Sequence, residues 1–365
     1  MSARAFRAPG RVNLMGDHTD YNEGWVLPLA IELECVAIAE ARDDGAIHAR
    51  SQELPGREAV LPADGGDPTR VSPSWGRYVA GVAAALGERG RPPVGATIVF
   101  RSTVPPGSGL SSSAALEVSC GLALCAVADF TLPPRELALA CQHAEQLATG
   151  VPSGIMDQLA SIAGRQGAAL LIDCRNLCVE YVRVPDDIAI LVVHSGVERT
   201  LEGIAYAERR AHCEALAREL GVAALRDATW EQVRHDPLGR HVVSENARVH
   251  ETARALAVGD AHALGRLFAE SHASLRDDYR VSTRELDVLV DALVAGGAIG
   301  ARLTGAGFGG AVVALSDVDG VHGVADTAGR RYRDLTGRTP TAWVTRPTVG
   351  AGRVREDGEG ALPEA

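Results

Sequence analysis

From Trp25 to Ala39 the chain reads WVLPLAIELECVAIA, an apolar stretch with few polar interruptions that predicts one long strand or a pair. GATIVFRSTV (95–104) predicts another strand. The texture then changes: two prolines and two glycines in VPPGSGL predict a loop, and a serine cluster leads into an apolar run of helical length. Residues 135–148 space their apolar positions as an amphipathic helix does, and SGIMDQLASIAG predicts a helix start. AALLID, LCVEYVRV and IAILVVH have strand length and strand composition. Beyond about residue 195 the pattern predicts helices rich in Arg and Glu, over 204–220, 243–258, 261–275 and 283–295. IGARLTGAGFGGAVVALS reads as strand, glycine loop, strand; VHGVADTAGRRYRDL as a helix; TAWVTRP as a last strand. The Gly-, Glu- and Pro-rich tail after Gly350 predicts disorder. The class is α+β, strand-rich first and helix-rich later. It predicts one domain over 1–185, a second over 186–350 and a disordered tail over 351–365, with the boundary between about 180 and 195.

Composition narrows this picture. The chain is 46% hydrophobic but only 4% aromatic, so its core is built from small aliphatic side chains. A net charge of −11 argues against nucleic acid or an anionic membrane surface as the partner. There is no lysine, a bias that removes a Walker-type phosphate loop and any Schiff-base chemistry. The seven cysteines contain no CxxC pair and fall mostly in apolar runs, as reduced buried thiols do, which argues against a zinc site. The N-terminus lacks the apolar core of a signal peptide, and no run of about 20 apolar residues is present to span a membrane. A cytoplasmic protein is expected.

Three segments carry chemistry. In PPGSGLSSSAALEV (Pro105–Val118), Gly107 and Gly109 permit close backbone approach, and Ser111, Ser112 and Ser113 stand where a helix opens. A helix start offers free N–H groups and a partial positive charge to a phosphate; an ordinary Ser-capped helix after a Pro-Gly turn fits the same residues. LTGAGFGG (Leu303–Gly310) lies between strands and so lacks the strand-to-helix context of a dinucleotide fingerprint; by itself it reads as a tight turn. APGRVNLMGDHTDYNEGWVLP (Ala8–Pro28) gathers Arg11, Asn13, Asp17, His18, Asp20 and Asn22 among glycines, either to fork hydrogen bonds to vicinal hydroxyls or as a polar surface turn.

Together these segments resemble the GHMP kinases, and among them the galactokinases. GRVNLMGDHTDYNEGWVLP is similar to the galactokinase sugar motif, PPGSGLSSSAALEV to the family's ATP motif, LTGAGFGG to its third motif, and QHAEQLATGVPSGIMDQLAS (Gln142–Ser161) to the segment of its catalytic aspartate. The resemblance runs from about residue 6 to 346. It implies a ribosomal-protein-S5-like N-terminal domain, a ferredoxin-like C-terminal domain and an active site between them. It further implies a monomer acting on a small-molecule sugar with ATP and Mg²⁺. Asp157 matches the catalytic base and Arg11 the arginine beside it; Asp17, His18, Thr19, Asp20, Gly154 and Tyr206 match sugar contacts. Gly107, Ser108, Gly109, Leu110, Ser111, Ser112 and Ser113 match the triphosphate loop, Ser113 and Glu145 the Mg²⁺ ligands, and Trp75 an aromatic near adenine. The chemistry is coherent: an anomeric hydroxyl is a poor nucleophile at neutral pH, so a carboxylate within hydrogen-bond reach assists it. Positioning and charge neutralisation do most of phosphoryl transfer. Read without the resemblance, Asp157 is a first-turn helix carboxylate and Glu145 a solvated helix face.

The sequence departs from the galactokinase pattern on the sugar side. Asp17 stands where the family has Glu, one methylene shorter, and HSGVERTLEGIAYAERR before and around Tyr206 is unlike the usual version. Two further readings therefore stand beside galactose phosphorylation: a sugar-1-kinase for another galactose-like sugar such as L-arabinose, and an inactive galactose- and ATP-binding sensor. The complete GLSSSAA, Asp157 and Arg11 favour an enzyme over the sensor.

Overall fold

The computed structural model describes residues 3–53, 58–197 and 202–354. The strands are β1 (Arg4–Asn13), β2 (Trp25–Val26), β3 (Pro28–Arg42), β4 (Ala46–Ser51), β5 (Glu58–Pro62), β6 (Gly95–Ser102), β7 (Ala168–Asp173), β8 (Cys178–Arg183), β9 (Ile188–His194), β10 (Gly300–Thr304), β11 (Ala311–Asp317), β12 (Thr341–Thr345) and β13 (Gly352–Arg353). The helices are α1 (Gly76–Gly87), α2 (Ser112–Val127), α3 (Pro134–Thr149), α4 (Met156–Ala163), α5 (Glu202–Leu220), α6 (Trp230–Val233), α7 (Pro237–Val258), α8 (Ala261–Asp277), α9 (Arg284–Ala295) and α10 (Val321–Thr336).

They build three sheets, ordered β13-β1-β3-β6-β4-β5, β10-β11-β9-β12 and β2-β7-β8. Only β4 and β6 pair in parallel among the described strands. Helix α2 is apolar around its whole circumference, as expected of a helix buried on all sides, and lies against β1 and β3 with α1 and α3 beside it. The continuous apolar run IAILVV of β9 has the same cause in strand form. Ile188, Ile190 and Val192 join the core shared with the large sheet, while Ala189, Leu191 and Val193 join a second core with α9 and α10. Among the described residues no helix is long and apolar enough to cross a membrane.

The structure corrects the expected disorder after Gly350 for residues 351–354. Phe6 and Arg7 pair with Arg353 and Gly352, and the Val354 N–H donates to the Ala5 carbonyl at 2.9 Å. A Cβ at Gly350 would sit 2.1 Å from the Ile162 carbonyl, so this glycine serves close approach and not flexibility. The rest of the tail lies outside the described residues. The apolar stretch from Trp25 resolves into a pair, β2 and β3, and the start of the polar cluster, from Ala8 to Asn13, belongs to strand β1. Helix α1 and strands β4 and β5 had not been anticipated from the pattern.

Candidate active site

Strand β1 delivers Arg11 through an irregularity. Its register with β3 jumps from Pro9↔Glu34 to Arg11↔Ala30. Pro9 has no N–H to continue the ladder, and Gly10 lets the Leu110 carbonyl approach to 2.6 Å from where a Cβ would be. The Arg11 N–H consequently donates to Leu110 O at 3.1 Å, which joins the strand to the glycine loop. The Arg11 guanidinium then spans two segments. Nε and Nη2 donate to the two carboxylate oxygens of Asp157, each at 2.7 Å, and Nη1 donates to the Gly109 carbonyl at 2.6 Å. Burial, the largest single influence, would lower the Arg11 pKa, but the charge and hydrogen bonds of Asp157, with the charges of Asp17 and Asp20, together outweigh it and hold the guanidinium charged. Asp157 sits in the first turn of α4 and also accepts from Ser111 Oγ at 2.5 Å.

The loop before α2 turns through left-handed backbone at Gly107 (φ 69°), Gly109 (φ 81°) and Ser111 (φ 59°). Those turns bring the N-terminus of α2, at Ser112 and Ser113, into the lining of a cavity of about 360 Å³ that Asp157 also lines. On the same wall Ser113 Oγ donates to Glu145 Oε1 at 2.9 Å. Burial first, and the charge of Asp157 second, push the Glu145 carboxyl above its ordinary range.

A further part of the lining comes from the segment between β1 and β2. Asp17 is buried; its Oδ1 accepts from the Gly305 N–H at 2.9 Å and its Oδ2 lies 2.6 Å from Arg302 Nη2 as an ion pair. Arg302, on β10, is fully buried and also lies 3.5 Å from Glu245 of α7. His18 Nε2 is 3.1 Å from the Ala306 carbonyl, which requires the Nε2–H tautomer; Nδ1 then accepts from the Tyr21 hydroxyl at 2.9 Å. Burial, then the neighbouring His241, lowers the His18 pKa to about 3, so the ring is neutral. Asp20 is pushed up to about 7, by burial and then by the charge of Asp157. Gly154 passes so close that a Cβ there would stand 1.7 Å from Asp20 Oδ2. Tyr206 of α5 closes this side, its ring 5.1 Å from that of Tyr21.

Three family models match the chain: the GHMP kinases N terminal domain over residues 77–165, the galactokinase galactose-binding signature over 2–41, and the GHMP kinases C terminal over 252–333. A galactokinase of Roseiflexus sp. (strain RS-1) is 43% identical over 366 aligned positions, covering 96% of this chain and 93% of that protein. The chain belongs to the GHMP kinases. The crystal structure of Lactococcus lactis galactokinase complexed with galactose superposes with a TM-score of 0.90 at 32% identity, covering 96% of this chain and 95% of that one. Methanococcus jannaschii mevalonate kinase, at a TM-score of 0.68 and 18% identity over 95% of this chain and 99% of its own, shares the fold. The α+β, two-domain GHMP kinase architecture is thereby established, and the protein is a sugar kinase on the galactokinase branch.

In this sugar kinase most of the residues expected at the site line one cavity: Arg11, Asp17, His18, Asp20, Gly107, Gly109, Ser111, Ser112, Ser113, Glu145, Gly154, Asp157 and Tyr206. Four others stand behind its wall. Thr19 donates to the carbonyls of Gly16 and Trp25, Ser108 donates to Pro105 O, and Leu110 is fully buried. Trp75 packs edge-on against Phe100, and Tyr78, three residues on and one helical turn along, lines the cavity. Gly305 and Ala306 also line it, so the glycine loop that reads as a plain turn by itself forms part of the site. Arg302 and Glu245 were not anticipated; an Arg inside an otherwise apolar strand run was the available signal.

Proposed function

We propose that this kinase transfers the γ-phosphoryl group of ATP to the anomeric hydroxyl of galactose, giving galactose 1-phosphate. The observation that carries the reading is the bidentate Arg11–Asp157 pair in the same cavity as the Ser111–Ser113 helix start. The Asp157 carboxylate takes the proton of the attacking hydroxyl. Arg11 orients that carboxylate and, through Gly109, ties its position to the loop that receives the triphosphate. Asp20, Gly154 and Tyr206 border the place of the sugar ring, and backbone N–H groups at the start of α2 face the transferring phosphoryl group.

The lining includes four carboxylates, Asp17, Asp20, Glu145 and Asp157, against the Arg11 guanidinium. A triphosphate entering such a cavity needs a cation. Ser113 Oγ and Glu145 Oε1 are hard oxygen donors 2.9 Å apart on the phosphate wall, and they fit Mg²⁺ completed by phosphate oxygens and water. When bound there, Mg²⁺ supplies positive field against the charge that develops on the phosphoryl oxygens.

Asp17 supports a second reading. Both of its oxygens already have protein partners, Gly305 N–H and Arg302, which leaves this shortened side chain less to offer a sugar hydroxyl. A galactose-like sugar with a different exocyclic group, such as L-arabinose, then competes as substrate. Coupled measurement of ADP release over galactose, glucose, 6-deoxygalactose and L-arabinose, with phosphorus NMR of the product, separates the two. Galactose is expected to give an anomeric phosphate; an inert galactose beside a rapidly used pentose overturns the first reading and supports the second.

A further inference from the structure

Behind the Ser113–Glu145 pair lies a buried polar chain that the proposed chemistry does not use. Gln158 follows Asp157 on α4. While Asp157 faces the cavity, Gln158 is fully buried and points its carboxamide into the seam between α2, α3 and α4. Its Nε2 donates twice, to Glu145 Oε2 at 3.1 Å and to Glu117 Oε2 at 3.0 Å. Both amide hydrogens are thereby spent on carboxyl groups of different helices. Glu117, on α2 one turn beyond Ser113, has no exposed surface. The charges acting on it are those of Glu145 and Asp157, both carboxylates, and no guanidinium or imidazole pairs with it among the described residues.

A count of donors and acceptors shows what is missing. Glu117 Oε1 and Gln158 Oε1 are both buried and both lack a hydrogen-bond partner. They belong to the same two side chains that already share one N–H···O bond. A carboxylate offers no donor, whereas a carboxylic acid offers one, and a donor is what these two unpartnered acceptors lack. An unpaired carboxylate here would also carry the penalty of a buried charge without a counter-ion.

We infer that Glu117 is carried as the neutral acid, paired with the Gln158 carboxamide as an acid–amide couple, and is the positioning residue that fixes Glu145 beside Ser113. The acid proton decides which way the Gln158 amide faces. The amide's second hydrogen then holds Glu145 Oε2, leaving Glu145 Oε1 turned toward Ser113 and the cavity. This inference rests on the reading of Ser113 and Glu145 as the metal pair. Partners one step behind a metal ligand typically govern affinity by about 10- to 100-fold.

The full-length protein is compared with Glu117→Gln, Glu117→Leu and Glu145→Gln. Mn²⁺ binding in the presence of ADP is measured by calorimetry, and the carbonyl stretch of protonated carboxyl groups is recorded by infrared spectroscopy. Gln at 117 can rebuild the couple as an amide–amide pair, so Glu117→Gln should keep Mn²⁺ affinity within about threefold while losing one protonated-carboxyl band. Glu117→Leu should lose at least about tenfold in Mn²⁺ affinity and raise the KM for the nucleotide more than it lowers kcat. A Glu117→Gln spectrum with no band lost overturns the neutral acid, and this readout stands even if Glu117→Leu does not fold. Glu117→Gln that binds Mn²⁺ as weakly as Leu, or Leu that binds as well as wild type, overturns the positioning role. Glu145→Gln with unchanged Mn²⁺ affinity instead rejects the metal pair itself, and the infrared band then decides the state of Glu117 alone.

Discussion

Asp157→Asn removes one negative charge and almost no volume. The wild-type carboxylate accepts from Arg11 Nε, Arg11 Nη2 and Ser111 Oγ, so three donors converge on two oxygens and the group retains one further lone pair for a substrate hydroxyl. An amide keeps one of those oxygens and replaces the other with an N–H₂ that meets Arg11 donor to donor. The variant loses the base, a term of about 10² to 10⁴ in rate, equivalent to about 3–5 kcal/mol of barrier. Its fold loses less, about 1–3 kcal/mol, because Arg11 keeps its bond to Gly109 O while one of its buried donors is left unpaired. Turnover is followed by coupled ADP release, sugar binding by calorimetry, and stability by the urea midpoint. Turnover should fall by at least two orders of magnitude in a protein that is still folded and still binds sugar. Near wild-type turnover refutes Asp157 as the base. A loss of rate that merely follows the loss of folded protein refutes it equally, by making the pair structural. Ser111→Ala is the control: it frees one lone pair of Asp157 and should cost less than about tenfold.

Arg302→Met leaves Asp17 and its neighbour Glu245 buried beside an apolar chain; a loss of about 3–5 kcal/mol in urea unfolding is expected, and a change below about 1 kcal/mol would show the ion pair to be dispensable. Gly154→Ala drives a methyl group into Asp20 and should raise the KM for sugar at least about tenfold while leaving that for ATP unchanged, in steady-state assays varying each substrate. Asp20 ordinarily titrates near 3.8 and is raised to about 7 in the folded chain, so the folded state holds the extra proton and the free protein loses stability from this group as pH rises through that interval. Asp20→Asn should accordingly gain stability over wild type from about pH 4 to pH 7 and hold a constant advantage above, in thermal melts without substrate; an advantage independent of pH rejects the assignment.

How much of this could be read beforehand depended on whether the cause was local. The Pro-Gly-Ser loop, the first-turn position of Asp157 and the amphipathic helix over 135–148 follow from neighbours a few residues apart and stand as read, whereas the helix expected over 243–258 begins six residues earlier, at Pro237. The order of the motifs also carried the family. The short, mixed strands β4 and β5 owe their form to the sheet they join and carry little local signal of their own. Trp75, which the resemblance puts near the adenine, packs edge-on against Phe100, while Tyr78 one helical turn along lines the cavity.

By itself the sequence determined the α+β class, the acidic balance and small-aliphatic composition, and the residue types able to handle a phosphate and a sugar, since each is a property of composition or of a short stretch of chain. Only the tertiary structure decided that Arg11 meets Asp157 across 146 residues and that the Asp17 loop joins a glycine turn 288 residues away. It also decided that Gln158 bridges the buried Glu117 and the half-buried Glu145, carboxyl groups on different helices. Such pairings depend on long-range packing and on how deeply each charge is taken out of water, and neither is encoded in the neighbours of any one residue.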